Sequence, residues 1–271
     1  MSQFYLLRSS NKTQLLNTGS GFSIRTGTTQ APAGDSLWSN VTLLMHLDSN
    51  ISDVSSTARF NSSVGTGDVQ NAWFTNSGTT ISGAQAKFGA GSLFFDSSAG
   101  TYCGYFNNTD PVIGTGDYTL EFWAWPKTMG WNYGNGGIAI DLWQPGWKSG
   151  RGSRLMLGMR TDDNAIRVFH DDGGYQQTSG SNVFTPEAWN HIAICRASGT
   201  RRTFVNGNHV LTSANDSNDH QSKGVILGTG WDAVNNGTMG KFNGYLDEIR
   251  LTHAARYTSS FTPPASAFLG Y

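Results

Sequence analysis

Asn206-Gly207, set between two β-rich runs, is a strong constraint on what this chain can fold into. It follows the β-rich run Arg202–Val205 and leads into a second one. A two-residue hairpin loop needs positive φ at both positions, and Asn followed by Gly is the pair that reaches it at least cost. The two runs are therefore antiparallel neighbours. The same reading extends along the chain. Tyr118–Trp125 alternates with period two, placing Tyr118, Leu120, Phe122 and Ala124 on one face and Thr119, Glu121, Trp123 and Trp125 on the other. Trp189–Cys195 alternates likewise, Val41–Leu47 reads as a buried apolar strand, and Ser92–Phe95, Val225–Leu227 and Phe242–Leu251 are further strands. Ala254-Ala255-Arg256 has room for one helical turn at most.

Composition supports many short strands. Charged residues are 14% of the 271, glycine contributes 34 and aromatics 12%. That charge fraction is far below the roughly 25% usual for soluble domains. The formal net charge of −1 gives no electrostatic case for nucleic acid. No run approaches the length of a spanning helix, and Met1 onward lacks a basic-then-apolar leader. The expectation is a soluble chain made in a cytoplasm without a signal peptide, with no membrane insertion. Cys103 and Cys195 both sit in apolar strand patterns and read as buried, reduced thiols.

Residues 1–36 read differently. Phe4, Tyr5, Leu6 and Leu7, then Leu15 and Leu16, are apolar clusters too short and too widely spaced for a core, followed by a Gly/Ser/Thr linker ending at Gly34. They predict two short strands or an extended arm that orders by docking. Residues 37–271 form the main domain.

Three ordered segments carry a family resemblance: AQAKFGAGSLFFD (Ala84–Asp96) followed by GTGDYTLEFWAWP (Gly114–Pro126), AWNHIAICRASGTRRTFVNGNHV (Ala188–Val210), and KFNGYLDEIRLTHAARYTSSFTPPASAF (Lys241–Phe268). Together the chain resembles the laminin-G-like, concanavalin A-like jelly rolls common in bacteriophage structural proteins, over roughly residues 36–268. The resemblance implies an all-β fold, a two-sheet antiparallel β-sandwich of about a dozen strands with a short N-terminal arm. It does not fix function, because this fold carries lectins, hydrolases and adhesion modules alike.

Glycosidases of this fold place paired carboxylates at alternate strand positions, E-x-D-x-E, since one must protonate the leaving oxygen while the other attacks or activates water. The chain has three glutamates, Glu121, Glu187 and Glu248, and Glu121 stands alone on its strand. Alternation sends the adjacent Asp247 and Glu248 to opposite faces. There is no nucleophile elbow. His46 and His191 read as packed structural residues, and His170 as part of a solvated turn. The expectation is a non-enzymatic protein.

The resemblance also implies one structural calcium ion, with Asp247 as the matching ligand position, Asp48 as its partner and Asp96 as a third candidate or a turn-former. If Asp247 binds no cation, pairing with Arg250 is its expected role. Trp131 and Tyr133, Trp143 and Trp147, and Trp231 with Asp232 fall among Gly, Asn and Pro, in segments that read as loops. Loop tryptophans with such neighbours fit a protein interface, a lid on the sandwich, or a shallow glycan site where sugar rings stack on indoles. Trp123 and Trp125 read as sheet-face or interface groups.

The expected function is a virion structural protein, a capsid decoration or a tail or fibre component. It docks through its arm on other virion proteins and forms a homo-oligomer. The alternative is an adhesin that recognises host-surface glycan through the loop tryptophans.

Overall fold

The computed structural model of the protein describes residues 14–17, 22–25, 34–52, 54–55, 73–75, 78–98, 101–106, 113–127, 137–143, 155–170, 175–213, 216, 220, 222–232 and 237–271. The chain divides into two compact units, Met1–Ser36 and Leu37–Tyr271. In the first, β1 (Gln14–Asn17) and β2 (Phe22–Arg25) form an antiparallel hairpin pairing Leu15 with Ile24 and Leu16 with Ser23. Phe4 to Leu7 lie outside the described residues.

The second unit is all-β. Its strands are β3 (Val41–Met45), β4 (Trp73–Thr75), β5 (Thr80–Ser82), β6 (Ser92–Asp96), β7 (Cys103–Phe106), β8 (Tyr118–Pro126) and β9 (Gly137–Trp143). They continue with β10 (Leu155–Arg160), β11 (Ala165–His170), β12 (Tyr175–Thr178), β13 (Asn190–Ala197), β14 (Thr200–Val205) and β15 (Asn208–Ser213). The last four are β16 (Gly224–Leu227), β17 (Gly230–Asp232), β18 (Gly237–Met239) and β19 (Asn243–Thr252). The only helix among the described residues is a 3₁₀ turn at Trp38–Asn40, and Ala254–Arg256 is not helical.

Two antiparallel sheets make the sandwich. One has seven strands in the order β12-β11-β10-β9-β16-β7-β4. The other has eight, β15-β14-β13-β8-β19-β6-β5, with β3 also paired to β19. The alternation read at Tyr118–Trp125 holds: Tyr118, Leu120, Phe122 and Ala124 enter the core between the sheets, with Leu43, Met45, Leu93, Phe95, Ile192, Ile194, Leu246, Ile249 and Leu251 from the same sheet. Ile140, Leu142, Leu157, Ile166, Val168, Val225 and Leu227 meet them from the other. The hairpin β14–β15 turns on Asn206 (φ 50°) and Gly207 (φ 77°), as the dipeptide requires. Cys103 and Cys195 are buried free thiols on different sheets.

Most of the seven-stranded sheet went unread in the sequence. β9 is buried from Gly137 through Leu142, so both of its faces are covered and the alternation that marks a half-exposed strand is missing.

A candidate binding face on the eight-stranded sheet

The outer face of the eight-stranded sheet has two parts. Over the first, residues 253–271 run as a strap without regular structure. Its main chain is tied down at intervals. His253 N–H donates to Asn40 O (2.8 Å), Arg256 N–H to the Thr119 hydroxyl (2.9 Å), Phe261 N–H to Gly207 O (2.9 Å) and Phe268 N–H to Glu248 Oε2 (2.7 Å). A Cβ on Gly207 would fall 1.8 Å from Phe261 O, so the hairpin tip admits the strap only because that residue is glycine.

Beneath the strap lies Glu121, fully buried. Arg250 donates to its Oε1 from Nε (3.0 Å) and Nη2 (2.8 Å), while the Tyr257 hydroxyl (2.8 Å) and His191 Nε2 (3.2 Å) meet Oε2. Burial alone would raise this carboxyl, but the His191 hydrogen bond and the Arg250 charge outweigh it and hold it at about 2. A carboxylate saturated in this way is a structural anchor and is closed to acid–base chemistry. Tyr257 stacks flat on Phe261 at 3.6 Å between centroids, and the Arg250 guanidinium lies 3.9 Å over Phe268.

Asp247 and Glu248 depart from the expected alternation. Asp247 pairs with Trp123 and Arg250 with Glu121, so Glu248 and Ile249 share the place opposite Phe122. This is a β-bulge, with Glu248 at φ 50°. The extra residue returns Ile249 to the core and leaves both carboxylates on the outer face. Asp247 is fully buried; Oδ2 accepts from the main-chain N–H of Lys87 (2.8 Å) and Phe88 (3.3 Å), and Oδ1 from that of Glu248 (2.9 Å). Its partner is therefore the backbone and not Arg250, which belongs to Glu121. Burial pushes the Asp247 carboxyl up to about 7, against those three N–H donors. Glu248 Oε1 meets His46 Nδ1 at 2.7 Å, a bond that raises the imidazole above its ordinary value. His46 and His191 are thus hydrogen-bonded structural residues.

Next to the part beneath the strap, the same face is aromatic and in part exposed. Phe94 on β6 pairs with Tyr245 on β19, and Tyr245 pairs with Trp125 on β8. Asn190 opposite Ala124 brings Trp189 beside Trp125. The rings of Phe94 and Tyr245 are 4.8 Å apart, and those of Trp125 and Trp189 meet edge to face at 5.9 Å. Phe94, Trp125 and Trp189 are partly exposed, Tyr245 less so at 9%. Lys127 Nζ reaches over Phe94 (5.7 Å) and Lys87 Nζ over Trp123 (3.9 Å). Gly244 sits at φ 144°, where a Cβ would lie 2.1 Å from Trp125 O; its absence lets β19 press against β8 beneath the row.

Comparison with known proteins agrees with this geometry. A family model described as the concanavalin A-like lectin/glucanases superfamily matches residues 99–259. The chain belongs to the concanavalin A-like lectin/glucanase superfamily. No curated protein matches it. Among solved structures, this lectin fold is shared with the binding domain of paraclostridial mosquitocidal protein 1 (TM-score 0.55, 16% identity, 82% of this chain and 50% of that one). It is shared with the botulinum neurotoxin serotype D binding domain (0.56, 12%, 82% and 49%). A third is domain 4 of AbnA, a GH43 extracellular arabinanase from Geobacillus stearothermophilus, solved with arabinotriose (0.54, 17%, 80% and 93%). The chain spans about half the length of the two toxin domains.

The lectin-fold domain places the sequence candidates apart. Trp143 and Trp231 are strand residues, not loop residues: Trp143 ends β9, and Trp231 pairs with Thr238 and Asp232 with Gly237 in the β17–β18 hairpin. They belong to opposite ends of β9. Trp143 pairs with Gly224 at one end, whereas β17 follows Leu227 and Gly228 at the other, where Gly228 N–H donates to Ala139 O. Trp131, Tyr133 and Trp147 lie outside the described residues.

Of the three calcium candidates, Asp48 and Asp247 both accept from the Lys87–Ala90 segment, and Asp96 lies apart from Asp247. Asp96 pairs with Asn243, four residues along β19 from Asp247, which separates the two by about 13 Å. Asp96 Oδ1 accepts from Ser98 N–H (2.8 Å) and the Thr101 hydroxyl (2.5 Å), the behaviour of a turn-former, and Asp48 Oδ1 from Ala90 N–H (3.0 Å). Among the described residues no three His, Cys, Asp or Glu side chains gather as metal ligands. The aromatic row went unrecognised in the sequence because its members come from four separate segments. The signal was present in Trp125, assigned to the outward face, and in the aromatic neighbours that pairing brings to it.

Proposed function

We propose that this protein is a non-catalytic binding domain whose ligand is a glycan docked on the row Phe94–Tyr245–Trp125–Trp189. One observation carries the reading: four aromatic side chains stand in a row across neighbouring strands, three of them partly exposed, while Trp123 two residues away on the same face is buried. Flat apolar rings held on rigid strands offer stacking surface at little cost in entropy. Two of the three glutamates are consumed in structural bonds, and Glu187 is exposed in a turn at φ 54° with no partner glutamate. AbnA domain 4, a domain of this fold solved with arabinotriose, favours a saccharide over other ligands.

The test is a glycan array probed with the whole chain and with Trp125→Ala. Saccharide binding by the parent that Trp125→Ala abolishes, at unchanged melting temperature, is the expected result. An array on which the parent binds nothing overturns the reading.

A second reading concerns setting. The separate unit Met1–Ser36 favours a projecting domain that a hairpin-bearing segment attaches to a larger assembly, as in a virion decoration or fibre protein. Immunogold labelling of particles tests it: label on head or tail supports display on a virion, and unlabelled particles remove that setting.

A further inference from the structure

Resting on the glycan reading above, we infer that the ligand is an uncharged, linear polysaccharide laid across the strands and held along its length, not by a chain end. The row is perpendicular to the strands. Phe94, Tyr245 and Trp125 are direct cross-strand partners, and Trp189 extends them by one more strand position. Three strand spacings make a platform about 14 Å long. Its rings are not coplanar, 36° apart for Phe94 and Tyr245 and 72° for Trp125 and Trp189, so a ligand that follows it must present several faces in succession at different tilts. A run of linked sugar rings does so, and a single terminal sugar covers one aromatic and leaves the rest wet.

The charges around the row decide the class. Among the described residues, the exposed or partly exposed charged groups that flank it are Lys87, Lys127, Asp96 and Glu187. They sum to zero. Both ammonium groups lie over aromatic rings, Lys87 on Trp123 and Lys127 near Phe94, and Asp96 has its Oδ1 engaged by Ser98 and Thr101. Such a surface concentrates no field of either sign, so it gives a uronate, sialate or sulfate no advantage over a neutral sugar. An uncharged ligand is the electrostatic complement of a balanced face. Thr80, exposed opposite Phe94 on β5, offers a hydroxyl to a sugar at the margin.

The experiment is calorimetric titration of the full chain at low and high salt. The neutral probes are cello-, xylo-, manno- and arabino-oligosaccharides, each from monosaccharide to hexasaccharide; the acidic probes are oligogalacturonides and sialyllactose. The expected result is that affinity for one neutral series climbs about tenfold or more from monosaccharide to tetrasaccharide, then levels off. It is insensitive to salt and falls at least about tenfold in Trp125→Ala and in Trp189→Ala, both folded by circular dichroism. Preference for the acidic probes that fades with salt overturns this inference and leaves the glycan reading intact. Affinity already complete with a monosaccharide does the same. Failure of every saccharide to bind overturns the glycan reading itself.

Discussion

Trp123 and Trp125 are two residues apart on β8 and point to the same side of the same sheet. Trp123 is 5% exposed, capped by Phe88 at 5.8 Å and His191 at 5.1 Å, with Phe268 packed in the same cluster. Trp125 meets Trp189 edge-on at 5.9 Å and remains partly exposed. What separates them is what crosses the face: Phe88 and, from the strap of residues 253–271, Phe268 pack with Trp123. A single strand thus serves as core at one position and as surface two residues later. Sheet-face aromatics divide by what crosses them, not by their own strand.

That contrast can be broken hardest at the buried carboxylate. Arg250→Ala leaves Glu121 buried without its principal cation and is expected to cost about 3–5 kcal/mol in urea unfolding. Replacing both partners by apolar residues of similar size, Glu121→Leu with Arg250→Met, is expected to cost clearly less. Equal loss in both variants would show that the strap does not depend on the pair.

The two tryptophans themselves come next. Trp123→Ala removes a covered ring and is expected to cost about 3 kcal/mol or more. Trp125→Ala is expected to cost under about 1 kcal/mol, as for an ordinary surface change, while abolishing ligand binding. Similar unfolding midpoints for the two variants would erase the distinction. Gly244→Ala falls between them at about 1–3 kcal/mol, since its Cβ meets Trp125 O, and it is expected to weaken binding by shifting the row.

The subtlest comparison is between two buried carboxylates. Glu121 is depressed from 4.5 to about 2, so its contribution is present above pH 4.5 and is lost as pH falls toward 2. Asp247 is raised from 3.8 to about 7, so the folded state binds its proton more tightly and stability declines as pH rises from about 4 to 7. Melting temperature against pH is expected to show the acid-side fall flattened in Glu121→Gln and the decline between pH 4 and 7 flattened in Asp247→Asn. Parallel pH profiles for parent and both variants would remove these assignments.

How much was legible in the sequence depends on locality. Tyr118–Trp125, Asn206-Gly207 and the closing motif from Lys241 declare strands, a hairpin and a superfamily, because alternation and turn chemistry act between residues a few positions apart. β9 was silent, since a strand covered on both faces has no alternation to show. Trp143 and Trp231 looked like loop aromatics because short strands in glycine-rich surroundings carry little pattern of their own. The Asp247–Glu248 bulge could not be seen, because it is defined by two residues of β19 facing one of β8.

The sequence alone determined an all-β chain, the inward and outward faces of β8, and a carboxylate set without the paired spacing of a glycosidase. Only tertiary structure decided that Glu121 is an anchor, that Trp123 is covered while Trp125 is not, and that Phe94, Tyr245, Trp125 and Trp189 stand in one row. The physical reason is that strand pairing joins residues about 150 positions apart, and which of them meet is set by sheet order and register, quantities that no local stretch of chain contains.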